Sequence, residues 1–141
     1  MNYTIEMMIG EQRDVVSKLY LDMKRMPEWE KGLVSIETLE GHLFESGSKG
    51  IMHFQFGETH MPMTISIEKA SLPEFIVQIF EVPGAWNRCA NHFIAMDDQT
   101  KWVMEVTFEF TQPVDLPKER FIEKTTESMQ IFKNFVEGKR L

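Results

Sequence analysis

Two asparagines four residues apart, Asn87 and Asn91, stand in the stretch Trp86-Asn87-Arg88-Cys89-Ala90-Asn91-His92-Phe93. On a strand, positions i, i+2 and i+4 share a face, so both amides point the same way as Cys89 and Phe93. A carboxamide donates and accepts hydrogen bonds. It can orient a carbonyl or hydroxyl and stabilise an oxyanion, but it cannot by itself move a proton. Their direction follows from the next strand, across the polar turn Asp97-Asp98-Gln99-Thr100. Pairing Asp97 with Thr100 sets Phe93 opposite Met104, Asn91 opposite Val106, Cys89 opposite Phe108 and Asn87 opposite Phe110. On the other face Arg88 then meets Glu109 and His92 meets Glu105, two cross-strand charge pairs of roughly 0.2–1 kcal/mol each. The face carrying Trp102, Met104, Val106, Phe108 and Phe110 is the buried one, so Asn87 and Asn91 are expected to look into an apolar interior. An unpaired buried amide costs on the order of 1–3 kcal/mol. Each therefore has a partner, which is neighbouring backbone, internal water or a ligand oxygen.

The other polar candidates on that interior are Gln78, Tyr3 and Thr125. No carboxylate or histidine falls on the inferred inward faces, so an acid–base pair is missing. There is no Gly-x-Ser-x-Gly elbow, and no serine has a histidine set beside it. His42, His53, His60 and His92 lack the close spacing of metal ligands, and no metal or cofactor is expected. Cys89 is expected to be an inert buried thiol. The apolar wall is read as Met52, Phe54, Phe56, Met61, Met63, Ile65, Phe80, Phe93, Trp102, Met104, Phe108 and Met129.

The elements that must hold these residues can be read from periodicity. Tyr3, Ile5, Met7 and Ile9 alternate as a strand. Glu11 to Leu21 places Val15, Val16, Leu19 and Tyr20 at helical spacing, and Pro27 opens a short turn around Trp29, closed by Gly32. Strands are expected at 33–43, 48–56, 59–69, 74–82, 86–96 and 101–111. The Gly57-Glu58 turn pairs Phe54 with Met61, Met52 with Met63 and Gly50 with Ile65, leaving His53 and His60 outside. The Pro83-Gly84 turn pairs Phe80 with Asn87, Gln78 with Cys89 and Ile76 with Asn91. Pro117 starts a final helix whose stripe is Phe121, Ile122, Thr125, Met129, Phe132, Phe135 and Val136. An antiparallel sheet with one buried face needs a cover, and this helix is the only element long enough.

With 141 residues the expected organisation is one domain, 1–141. A net charge of −7 and a pI near 5.1 argue against nucleic acid and anionic lipid as partners. No apolar run approaches the ~18 residues of a membrane span. The single Cys and the absence of a basic-then-apolar leader make a reducing cytoplasmic setting the expectation. Eleven Met suit an adaptable apolar surface. Outside, Phe75, Val77, Ile79, Trp86, Ala90 and Ile94 form an apolar strip, which suggests a homodimer through the face near Trp86, Val77 and Ile79.

The motif Gly84-Ala85-Trp86-Asn87-Arg88-Cys89-Ala90-Asn91-His92-Phe93, with Thr100-Lys101-Trp102, Met61-x-Met63-Thr64-x-x-Ile67, Met129-x-x-Phe132-Lys133-x-Phe135 and Pro27-Glu28-Trp29, resembles the START-like, pollen-allergen-like superfamily (SRPBCC). The branch it is most similar to is the polyketide cyclase/dehydrase-like one. The resemblance covers the whole chain. It implies an α+β helix-grip fold: a curved seven-stranded antiparallel sheet wrapped on a long C-terminal helix, two short helices after the first strand, and a hydrophobic ligand cavity between them. Two departures stand out. The segment from Thr111 to Leu116 is shorter than the lid of many relatives. Ile65 is apolar where many carry a carboxylate.

Three functions follow as expectations. The first is a START-like binding or carrier protein for a lipid, aromatic or polyketide-like molecule. The alternatives are a cyclase or dehydratase, which needs an inward Glu or His near Asn91, and a protein-interaction module. The last would show a filled core, with less than roughly 100 Å³ of cavity against the ~300–1,000 Å³ of ligand sites.

Overall fold

The structure, a computed structural model, describes residues 1–138. Strands β1 (Asn2–Ile9), β2 (Leu33–Glu40), β3 (Lys49–Phe56), β4 (Thr59–Ser71), β5 (Phe75–Val82), β6 (Ala85–Met96) and β7 (Gln99–Phe110) form one antiparallel sheet in the order β1-β7-β6-β5-β4-β3-β2. Helix α1 (Arg13–Tyr20) and a 3-10 turn (Met26–Glu28, Pro27 leading) follow β1, and α2 (Lys118–Val136) closes the chain. The architecture is α+β, a curved sheet gripping one long helix, as expected.

Alternation sets the faces. Tyr3, Ile5, Met7 and Ile9 turn inward on β1, buried or half-buried, while Thr4, Glu6 and Met8 are exposed. The β3–β4 ladder pairs Phe54 with Met61, Met52 with Met63 and Gly50 with Ile65, and β5–β6 pairs Phe80 with Asn87, Gln78 with Cys89 and Ile76 with Asn91. Both registers match the expectation residue by residue. β2 ends at Glu40 rather than residue 43, because Gly41 (φ 69°) turns the chain away. Phe44 then adopts φ 79°, unusual for a bulky residue, and its ring is buried in the core.

The β6–β7 register is corrected by two residues. Met96 pairs with Gln99, so the turn is Asp97-Asp98, with Asp97 at φ 56° in a region aspartate tolerates. Phe93 therefore faces Trp102, Asn91 faces Met104, Cys89 faces Val106 and Asn87 faces Phe108. A one-residue slip would have turned every side chain over; a shift of two preserves each face. Arg88 is released from Glu109 and instead takes Glu68, at the β4 bulge, at 2.7 Å. His92 still reaches Glu105, at 3.1 Å, from a diagonal position.

Helix α2 approaches the sheet backbone chiefly along β1. Met129, Phe132 and Val136 are its buried residues, all in its second half. The Glu137 carboxylate accepts the Gly10 N–H at 2.7 Å, and Tyr3 Oη meets Thr125 Oγ1 at 2.7 Å. These two bonds fasten the helix to the two ends of β1.

Candidate functional site

The space between sheet and α2 has two unlike halves. At the end covered by α1 and the 3-10 turn, Tyr20 stacks on Trp29 at 5.4 Å and meets Phe93, Trp102 and Phe132 edge-on. Within this ring cluster lies a polar chain. Trp102 Nε1 donates to Asn91 Oδ1 (2.9 Å), Asn91 Nδ2 donates to Gln78 Oε1 (3.2 Å), and Tyr20 Oη donates to the same oxygen (2.7 Å). Asn91 is 0% exposed. Its amide is spent on side chains, and so is the Gln78 carbonyl. Burial pushes the Tyr20 phenol well above its ordinary range, so it remains a donor. Ile65, Met52, Phe54 and Met129 belong to the same packed core. Trp29, 8% exposed, fastens the turn onto Tyr20 and Phe132 (4.7 Å).

At the other end, beneath the first turns of α2, inward side chains stay only half-buried. Phe80, Met104 and Phe108 lie there with Phe121 and Ile122, around Tyr3, Cys89 and Val106, and Asn87 is part-buried on the same strand face; Met61 and Met63, also part-buried, pack at the margin of the ring-filled core. Asn87 Oδ1 accepts the Cys89 thiol at 3.6 Å. Its Nδ2 has no partner among the described residues. Burial raises the Cys89 thiol to about 12, so it is not a thiolate at neutral pH. Burial also raises the Tyr3 phenol, against the bond from Thr125.

Three expectations need correction. Phe56 is 49% exposed rather than part of the wall; its ring leans over Gly32, where a Cβ would come within 2.5 Å of it. On the outer sheet face Val77 and Ala90, which pair with each other across β5–β6, are buried, at 7% and 5%. The apolar strip is thereby broken up. And the enclosed cavity is small, about 20 Å³, bounded by Tyr20, Met26, Trp29, Glu30, Phe44, Met52, Ile65, Gln78 and Phe80. Aromatic rings and Met side chains fill the closed half where a chamber was expected.

That small cavity holds what the sequence reading missed. Glu30 keeps part of its surface exposed as a residue. Desolvation nonetheless raises its carboxyl to about 7. Proton affinity follows the carboxyl and not the whole residue. No hydrogen bond reaches that carboxyl among the described residues. Trp29 Nε1, also buried, has no acceptor there. Glu30 lies in an irregular turn, so no alternation could assign it a face. The available signal was its place between Trp29 and Gly32, at φ 80°. Glu37, His53 and His60 form an exposed hydrogen-bonded chain with 3.1 Å links. Among the described residues no group of three or more His, Cys, Asp or Glu is placed to hold a metal ion. No described helix is long and apolar enough to cross a membrane.

This sheet-and-helix arrangement is the START-like, helix-grip fold. The chain is similar to Ara h 8.0201 (TM-score 0.81, 13% identity, 99% of each chain). It is similar as well to a START superfamily protein of Mycobacterium smegmatis (0.78, 11%, 97% of each). A third likeness is to the Zhui aromatase/cyclase of a Streptomyces species (0.76, 12%, 97% of this chain and 93% of that one). No protein-family model and no curated protein matches the chain.

Proposed function

We propose that the protein binds a hydrophobic small molecule, of lipid, aromatic or polyketide-like character, in the open half between β4–β7 and the first turns of α2. The observation that carries this is the incomplete burial of Met61, Met63, Phe80, Met104 and Phe108 on the inward face of the sheet. An interaction module with a filled core would bury these side chains. The small enclosed cavity fits that rival, but the open half and the broken outer strip do not. Covering apolar area contributes about 25 cal/mol per Å². The free Nδ2 of Asn87 would orient a ligand oxygen, and the Tyr3–Thr125 pair would border it. A saturable rise in the fluorescence of an environment-sensitive apolar dye, abolished by Met63→Lys with the fold intact, supports the reading. No saturable binding by the unaltered protein overturns it.

A second reading, a cyclase or dehydratase, is favoured by Glu30, a carboxyl near neutrality that could exchange a proton with a substrate. It lacks a contact to Asn91, so binding stays first. Turnover lost in Glu30→Gln with binding retained would reverse the order. Association of two copies through the outer face near Trp86 and Ile79 is a separate proposal. Light scattering checks it: one monomeric mass for the unaltered chain and for Trp86→Glu sinks it.

A further inference from the structure

Phe80, only part-buried, forms one wall of the small cavity and also belongs to the open half, so among the described residues it is the single side chain between the two. At about 20 Å³ the cavity admits one water-sized group and nothing larger. Its polar walls are unusual in being complementary to each other and committed to nothing else. Trp29 Nε1 is a buried donor without an acceptor, and an indole can only donate. Glu30 lines the same cavity, and no donor reaches its carboxyl among the described residues. Nearby polar groups do not compete for either. The Tyr20 hydroxyl, the Gln78 carbonyl and the Asn91 amide are bonded to one another.

We infer that this small cavity seats a single hydroxyl group of the bound molecule, whose oxygen accepts from Trp29 Nε1–H and whose proton is donated to the Glu30 carboxyl. The inference rests on the ligand-binding reading and narrows it to alcohols and phenols with an apolar body. The chemistry discriminates among headgroups. A carbonyl would satisfy the indole but, wherever Glu30 is ionised, set its oxygen against the carboxylate. An ammonium would suit the carboxylate but press its own N–H against the indole's. A hydroxyl both accepts and donates, as the two walls require. Near neutrality Glu30 is part protonated, and donation from a hydroxyl favours its ionised form. The body of such a ligand would lie over Phe80 toward Met61 and Met63.

The test compares naphthalene with 2-naphthol, two probes that differ by one hydroxyl, at one pH and salt concentration. The unaltered protein should bind 2-naphthol about tenfold more tightly, the size of one hydrogen bond to a charged group. Glu30→Leu and Trp29→Phe should each bring the ratio of the two affinities close to one, and Glu30→Gln, which keeps an acceptor, should restore part of the preference. Glu30→Leu should at the same time raise thermal stability at pH 8, so that lost preference cannot be laid to misfolding. If naphthalene binds with no preference for 2-naphthol, the cavity serves a resident water only; the hydroxyl seat falls and the ligand reading stands. If neither probe binds, both fall.

Discussion

Asn91 and Asn87 share a strand, a face and a side chain, and lie four residues apart, yet they live in different environments. Asn91 sits among rings, 0% exposed, with Trp102 donating to it and Gln78 accepting from it. Asn87 lies half-buried where α2 stands off, with one long thiol contact and a free amide. A buried polar group that is fully satisfied specifies a core. One that is partly satisfied at the edge of an apolar cleft is available to something else. The same contrast runs through the molecule: fully buried rings and methionines fill one half, and part-buried Met and Phe side chains line the other.

The largest effect should come from striking the closed half. Asn91→Leu removes the acceptor of Trp102 Nε1–H and forces a branched carbon group into a filled site. A loss of about 3 kcal/mol in urea unfolding is expected; a loss near zero would mean the polar chain is dispensable.

Next is the boundary between the halves. The Glu30 carboxyl is raised from its usual range to about 7 in the folded chain. Below about pH 4.5 it is protonated whether folded or unfolded, and no penalty arises. As pH rises toward 7 the unfolded chain releases the proton first, so stability falls across that window and stays lower above it. With a discount for the part-exposed residue, the loss is on the order of 2 kcal/mol. Glu30→Leu should flatten that part of the pH–stability curve, measured by thermal melts from pH 4 to 8. An unchanged slope would place the carboxyl in water.

Smaller effects belong to the open half. Tyr3→Phe removes the hydroxyl bond to Thr125 at 2.7 Å and should cost about 1 kcal/mol, while speeding hydrogen exchange in the first turns of α2. Asn87→Leu should shift stability by less than about 0.5 kcal/mol and change dye affinity instead. Equal destabilisation by Asn87→Leu and Asn91→Leu would erase the distinction between the halves.

Much of this was legible in the chain. Tight turns of one clear composition, Gly57-Glu58 and Pro83-Gly84, set two ladders to the residue. Asp97-Asp98-Gln99-Thr100 offers several two-residue turns of equal merit, and the cross-strand charge match did not separate them, since His92 reaches Glu105 diagonally as well. The inward faces survived because the error was an even number. Alternation reports the direction of a side chain but not its distance from α2. That is why Asn87 and Asn91 read alike, and why a chamber was expected where rings pack. Glu30, in a turn without period, carried no direction at all.

The bonds at the two ends of β1 make α2 a lever. Nineteen residues at 1.5 Å each give an arm of about 28 Å. Its fulcrum is the C-terminal end, where Glu137 holds Gly10 and Phe132 and Val136 are buried. Its catch is the Tyr3 hydroxyl, which takes hold at Thr125. Over such an arm a tilt of about 5° carries the tip roughly 2 Å. Small angular slack at the fulcrum is thus enough to set the width of the methionine-lined mouth, while the ring-packed end beside it stays shut.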